Sequence, residues 1–228
     1  LVPADSEADV TGTPVVYTSV VLPDETKADV YPDDLGVETN GAKASNYNIT
    51  QDKGTLTITA AAADSITITS EPVTTTAGEI LEGLSGAPAV EVSDAYGNKV
   101  GGFEVSVTLS SEAFAAGTTK VMTDGNGLAS FGDLVITKSG TAYYLTFSGA
   151  GVSSVNSAEF SIIAAAARNL GITTQPPPVT DAGEEIAPAP VVQLIDQYGN
   201  PVLVGPYNIT ASLDPTASII GPTVQGTS

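Results

Sequence analysis

Carboxylates are the only chemically versatile groups this chain has in quantity. It holds 26 acidic and 7 basic residues, with no histidine and no cysteine. Without His, the commonest general base near neutral pH and the commonest zinc ligand are both missing. Without Cys there are no disulfides, thiolate metal sites or thiol nucleophiles. What remains is Asp/Glu chemistry. Two carboxylates can cleave a glycoside without help from histidine, but no pair stands out from the 26, so an enzyme is the weakest reading and no catalytic residue is assigned. Oxygen ligands also suit calcium. Asp5, Glu7 and Asp9 alternate and would share one face of a strand, Asp33-Asp34 is a second acidic pair, and Asp64 lies beside a joint between segments. A solvated acidic face explains these residues more simply than a metal site. No metal ligand or cofactor-binding residue is therefore expected, and structural calcium stays open as the one ion that could be involved.

Three loops combine Asp with Gly or Asn. Asp94-Ala95-Tyr96-Gly97-Asn98 recurs as Asp196-Gln197-Tyr198-Gly199-Asn200, at an offset of 102 (196 − 94). Either copy could offer calcium ligands or a recognition surface. A turn accounts for both, because Asp accepts hydrogen bonds from amides just downstream and Gly supplies positive φ. Asp124-Gly125-Asn126-Gly127 starts like an EF-hand loop, but Leu128-Ala129-Ser130-Phe131 follows with no closing Glu. Asp-Gly and Asn-Gly are hairpin-turn dipeptides, and a turn is expected here too.

Tyr96 and Tyr198, both in turns, are the aromatics best placed for sugar stacking. Tyr143, three residues after Gly140, is placed to pin a sandwich loop through its hydroxyl, a packing role. Lys120, Lys138 and Asn156 are conceivable members of a Lys–Asn isopeptide bond, though no local pattern selects them. Asn48-Ile49-Thr50 and Asn208-Ile209-Thr210 fit the N-glycosylation sequon.

The elements that carry these residues read as strands. Only 14% of the chain is charged, against about a quarter in an average protein, and Thr, Ser, Val, Ala and Gly fill the difference, which favours strands and turns. The repeated loop has repeated flanks: Ile66-Thr67-Ile68-Thr69 answers Gly171-Ile172-Thr173-Thr174, Ala77-Gly78 answers Ala182-Gly183, and Ser106-Val107-Thr108 answers Asn208-Ile209-Thr210. A period of this length means tandem units. The alanine runs 60–63 and 164–167 are too short to be stable helices and read as stiff connectors.

Between the runs, strands are expected at Ile66–Ser70, Ala87–Asp94, Phe103–Ser110, Thr118–Thr123, Leu128–Lys138 (kinked at Gly132-Asp133), Ala142–Ser148 and Asn156–Ile163. Glu71-Pro72 should end the first of these where the chain changes sheets. Seven or eight strands in about a hundred residues describe an immunoglobulin-like sandwich. A third unit begins at Arg168 and repeats this order only in part. In the first segment, Ser45–Thr50 should form a hairpin with Gly54–Thr59.

The excess of 19 negative charges repels nucleic acid and anionic membrane, whose binding needs basic stripes. Self-repulsion is relieved by salt, so a saline or calcium-rich medium is a natural setting. No apolar run approaches the ~18 residues that would span a bilayer, and no signal peptide is visible. The chain reads as a segment of something longer.

Glu71-Pro72 and Gln175-Pro176, the two Asp-x-Tyr-Gly-Asn turns, Thr123 to Phe131 and Gly140 to Phe147 together resemble the bacterial immunoglobulin-like repeats of large surface proteins, similar to those of invasin and intimin. Residues 1–63 resemble the MBG-type repeat of bacterial adhesins through Asp5 to Asp9, Asn46 to Thr50 and Gly54 to Thr59, with a departure between Pro23 and Val37. These resemblances imply extracellular, multi-domain architecture and name no ligand.

The expectation is an all-β chain of tandem immunoglobulin-like β-sandwiches: an MBG-type domain at 1–63, a complete sandwich at 64–165 and a further sandwich at 166–228, the terminal two incomplete. It would serve as a stalk or spacer of an adhesin-like protein at the cell surface or outside the cell. Its partners would be neighbouring domains of the same chain, with like subunits or surface glycans as further candidates, and neither nucleic acid nor membrane insertion. The alternatives are a carbohydrate- or protein-binding module, or a filament subunit assembled by strand complementation.

Overall fold

The computed structural model describes residues 16–19, 27–38, 54–203 and 205–212, and every regular element among them is a β-strand. No helix of the described residues is long and apolar enough to cross a membrane. Three strands make an antiparallel meander near the start: β1 (Val16–Ser19), β2 (Asp29–Glu38) and β3 (Gly54–Ile58), with β2 in the middle. β2 runs through much of the Pro23–Val37 stretch where the sequence pattern breaks down. The expected partner of β3 at Ser45–Thr50 lies outside the described residues.

A two-layer sandwich follows. One layer holds β4 (Ala63–Ser70), β6 (Ala89–Asp94) and β9 (Leu128–Ser130), in the order β4-β6-β9. The other combines the sheet β12-β11-β7-β8 with the sheet β10-β13-β5. Its strands are β5 (Thr75–Thr76), β7 (Glu104–Leu109), β8 (Lys120–Met122), β10 (Gly140–Tyr143), β11 (Leu145–Gly149), β12 (Val152–Asn156) and β13 (Phe160–Ile163).

Pro72 sits at the change of layer. After Ser70 the chain leaves β4 and pairs in parallel as β5 with β13, Thr75 opposite Ile162, because proline cannot extend a hydrogen-bonded ladder. The apolar alternation of β6 and β7 buries Val90 and Val92 on one side and Val105 and Val107 on the other. Phe131, just after β9, meets Phe147 of β11 with ring centroids 5.5 Å apart and both rings fully buried. The core cluster draws all its buried members from Ile66 to Ile162.

Two expected runs are divided. The run at 142–148 keeps Tyr143, Leu145 and Phe147 buried, but it splits at Tyr144 into β10 and β11. There the Ser157 amide donates to the Leu145 carbonyl at 2.8 Å, and the Ser157 hydroxyl accepts from the Leu145 amide at 2.9 Å. β12 lies earlier than the strand expected at 156–163, and β13 supplies that strand's second half. The run at 128–138 ends as a ladder strand at Ser130. Past Gly132-Asp133, Leu134 and Ile136 are buried while Val135 bridges to Ile80 and Ala116. Tyr143 performs the expected pinning role, its hydroxyl donating to the Lys138 carbonyl at 3.3 Å. Beside it Ala142 adopts φ 59°, a left-handed conformation that costs a residue with a Cβ about 1–2 kcal/mol.

Beyond the second alanine run, β14 (Asn169–Thr174) and β15 (Val191–Ile195) pair antiparallel and repeat the arrangement of β4 with β6. The repeat weakens after that: Asn208-Ile209-Thr210, the counterpart of residues inside β7, is not a strand. β7 is held between β11 and β8, and no described strand flanks 208–210.

Candidate functional site

One five-residue loop is built three times. In the first copy Asp94 Oδ1 accepts from the amides of Tyr96 and Asn98, each at 2.9 Å. The Gly97 amide donates to the Asp94 carbonyl at 3.0 Å, and the Asp94 amide to the Asn98 carbonyl at 2.9 Å. The loop at Asp196 repeats all four bonds with Tyr198, Gly199 and Asn200. The loop at Asp124 repeats them with Asn126, Gly127 and Leu128. The fourth residue has φ of 86°, 83° and 74° in turn, which is why each is glycine.

The third copy works as an internal control. It closes the same turn with neither Tyr at its third position nor Asn at its fifth, so those two residues are surplus to the turn. In the other two loops Asn does something else, and in one of them Tyr does too. Asp94 Oδ2 accepts from the Ala61 amide at 2.8 Å and from Asn98 Nδ2 at 2.9 Å. Asp196 Oδ2 accepts from the Ala165 amide at 2.9 Å and from Asn200 Nδ2 at 2.8 Å. Ala61 and Ala165 are each the second alanine of their run, so each carboxylate ties a loop to the connector leading into its own strands.

The asparagines reach further back. Asn98 Oδ1 accepts from the Ala28 amide at 2.8 Å, just before β2. Asn200 Oδ1 accepts from the Ser139 amide at 2.9 Å, and its Nδ2 donates to the Thr137 carbonyl at 2.7 Å, just before β10. Each loop therefore clasps the preceding sheets as well as the connector. The second joint has an aromatic contact in addition. A Cβ on Gly78 would lie 2.0 Å from the Tyr198 hydroxyl, so the ring reaches a place that only glycine leaves open. Tyr96 meets no such glycine among the described residues and is 63% exposed, against 41% for Tyr198.

The electrostatics fit a clasp. Asp94 and Asp196 are buried, at 3% and 1% exposure. Burial pushes the Asp94 carboxyl upward, but the Asn98 side chain and the amides of Ala61, Asn98 and Tyr96 outweigh it and hold the pKa at about 2. Asp196 is lowered in the same way, burial being outweighed by Asn200 and the amides of Ala165 and Tyr198. A carboxylate offers about four lone-pair sites, and each of these two already takes four donors. Neither retains a site for calcium. Asp124 is lowered by the amides of Leu128 and Asn126, and Asp133 by the amide and hydroxyl of Thr118.

Other candidates are scattered. Asp5, Glu7, Asp9 and Asn48 lie outside the described residues, and Asp33-Asp34 falls in β2. Asp64 is exposed at the start of β4, and no group of three or more carboxylates among the described residues could hold a metal ion. Lys120 Nζ donates to Glu104 at 2.8 Å and Lys138 Nζ to Glu112 at 2.7 Å, while Asn156 Oδ1 accepts from the Thr146 hydroxyl at 2.8 Å. The isopeptide members are thus each engaged elsewhere. Asn208 is exposed. The sequence reading missed the clasp itself. Aligning the Asp124 loop with the other two would have exposed Tyr and Asn as surplus.

No protein-family model matches the chain, and no curated protein matches it in sequence. Among solved structures it is similar to a C-terminal fragment of intimin in complex with the intimin-binding domain of the translocated intimin receptor (20% identity, TM-score 0.33, covering 49% of this chain and 35% of that one). It is also similar to the D00-D0 domain of intimin (15%, 0.36, 70% and 88%) and to the Escherichia coli adhesin FdeC (20%, 0.43, 78% and 53%). The chain thus spans about a third of the intimin fragment and about half of the FdeC structure. At these identities and TM-scores no partner or activity is carried across.

Proposed function

We propose that this chain is a spacer segment of a stalk in an adhesin-like protein at the cell surface or outside the cell. Its units would be residues 1–63, of MBG type, 64–165 and 166–228, with the Asp-x-Tyr-Gly-Asn loops as the locks between them. One observation carries this reading: Asn, dispensable to the turn, closes only the two loops that bridge to the preceding sheets. A clasp of part-buried hydrogen bonds from Asp and Asn side chains to main-chain groups at each connector favours one orientation of neighbours over free swivelling. A row of such units holds whatever it bears at a set distance. No residue is assigned a catalytic role or a metal.

Small-angle scattering on the wild type and on the Asn98→Ala/Asn200→Ala double variant tests the lock. The wild type should scatter as a particle of defined maximum dimension. The variant should keep its melting transition but show the broadened distance distribution of a jointed chain. Identical profiles for the two proteins would remove the basis for a spacer.

A second reading, a carbohydrate-binding module, is favoured by one feature, the exposed ring of Tyr96. Glycan-array binding that disappears in Tyr96→Ala would establish it.

A further inference from the structure

The two clasps hold unlike partners. The Asn98 loop holds the segment Lys27-Ala28-Asp29 that leads into β2 of the meander, and the Asn200 loop holds Thr137-Lys138-Ser139 that leads into β10 of the sandwich. These belong to different sheets with different strand orders. What each loop touches through its Asp and Asn is nevertheless the same kind of group. Ala28, Ala61, Ser139 and Ala165 each contribute an amide, and Thr137 contributes a carbonyl. No partner side chain takes part in any of these bonds. Both receiving residues follow a lysine, but the amines turn away, Lys27 to Asp29 at 4.0 Å and Lys138 to Glu112 at 2.7 Å.

We propose that the Asp-x-Tyr-Gly-Asn loop recognises its predecessor through main-chain groups at the described contacts, as a coupling plug that accepts any β unit offering an amide at that edge and an alanine-type connector behind it. Main-chain groups are present whatever the sequence, so the plug places no demand on the partner's side chains. The partner class is therefore broad: β-sandwich or β-meander units of unrelated sequence. The Gly78–Tyr198 contact is an addition particular to the second joint, since the first couples with Tyr96 exposed.

This inference rests on the lock proposed above, and one experiment separates the two. The chain contains no cysteine, so single cysteines at exposed Ser153 of β12 and Thr173 of β14 can carry spin labels across the second joint. Electron double resonance then gives the distance distribution in the parent and in Asn200→Ala, Ser139→Ala and Thr137→Val. The expected result is a narrow distribution in the parent, an unchanged one in Ser139→Ala and Thr137→Val, and a broad one in Asn200→Ala. Ser139→Ala gives the second joint the receiving residue of the first. If it or Thr137→Val broadens the distribution as Asn200→Ala does, the plug reads side chains and the inference is overturned. If Asn200→Ala leaves the distribution narrow, the lock itself fails, and the plug with it.

Discussion

Asp94 and Asp196 are buried carboxylates that take amide and carboxamide donors where a cation would otherwise be expected. That arrangement depends on their being ionised. A protonated carboxyl would turn one acceptor into a donor facing an N–H, breaking a part-buried hydrogen bond. Because the folded-state pKa of Asp94 lies at about 2, below its ordinary value of 3.8, its contribution is complete above the ordinary value and is lost as pH falls toward 2. Asp196, lowered by the same kinds of contact, shares the direction. The joints should therefore stay closed down to about pH 4 and loosen progressively as pH falls from there toward 2. Hydrogen exchange at the Ala61 and Ala165 amides reports this directly, with protection at neutral pH that fades on acidification. Asp94→Asn should abolish protection at Ala61 while leaving Ala165 protected. Asp124→Asn, in a turn of the same form, should leave both unchanged. Loss of Ala61 protection in Asp124→Asn would mean that the carboxylate's connector bond is not the cause.

Strands were legible wherever side chains alternate between a buried and an open face. β4, β6 and β7 are such cases, with Ile66, Val90, Val92, Val105 and Val107 marking the inner side. β12 was not legible, because Val152-Ser153-Ser154-Val155-Asn156 is a largely polar edge strand with only two apolar residues. Nor was the split at Tyr144, since Tyr143, Leu145 and Phe147 keep one apolar face across it and the change is made where the Leu145 backbone bonds the amide and hydroxyl of Ser157. The clasps escaped for the same reason: an amide has no sequence signature. Two substitutions test how these elements carry the sandwich. Phe147→Ala removes a fully buried ring from β11 and its partner from Phe131, and should cost about 3–5 kcal/mol, a large share of the ~5–15 kcal/mol that holds a typical domain folded. The melting transition of the sandwich should drop steeply or vanish. Ala142→Gly should act in the opposite sense, relieving the left-handed strain at the entry to β10 by about 1 kcal/mol and raising the denaturant midpoint. A fall in the midpoint would show that the φ of 59° is not strained in solution.

A net charge of −19 makes the molecule's response to ions a test of how it is built. The four ion pairs of the described residues, Lys27–Asp29, Lys99–Glu91, Lys120–Glu104 and Lys138–Glu112, have largely exposed partners, and such pairs contribute about 0–1 kcal/mol each. Screening them away loses little, whereas screening the repulsion among unpaired carboxylates gains at every one of them. Sodium chloride should therefore raise the melting temperature. Calcium poses a sharper question, because an acidic chain of this kind could be stiffened either by general screening or by ions seated where its segments meet. The geometry favours screening. The joint carboxylates have their lone pairs filled by four donors each, and among the described residues Asp64, next in sequence to the first connector, is exposed and belongs to no group of three carboxylates. Ca²⁺ and Mg²⁺ at equal ionic strength should consequently raise the melting temperature by the same amount. They should also leave the label distance across the second joint unchanged. A rise specific to calcium, with a narrowing of that distance, would place an ion at the joint and displace the amide clasp as the source of its rigidity.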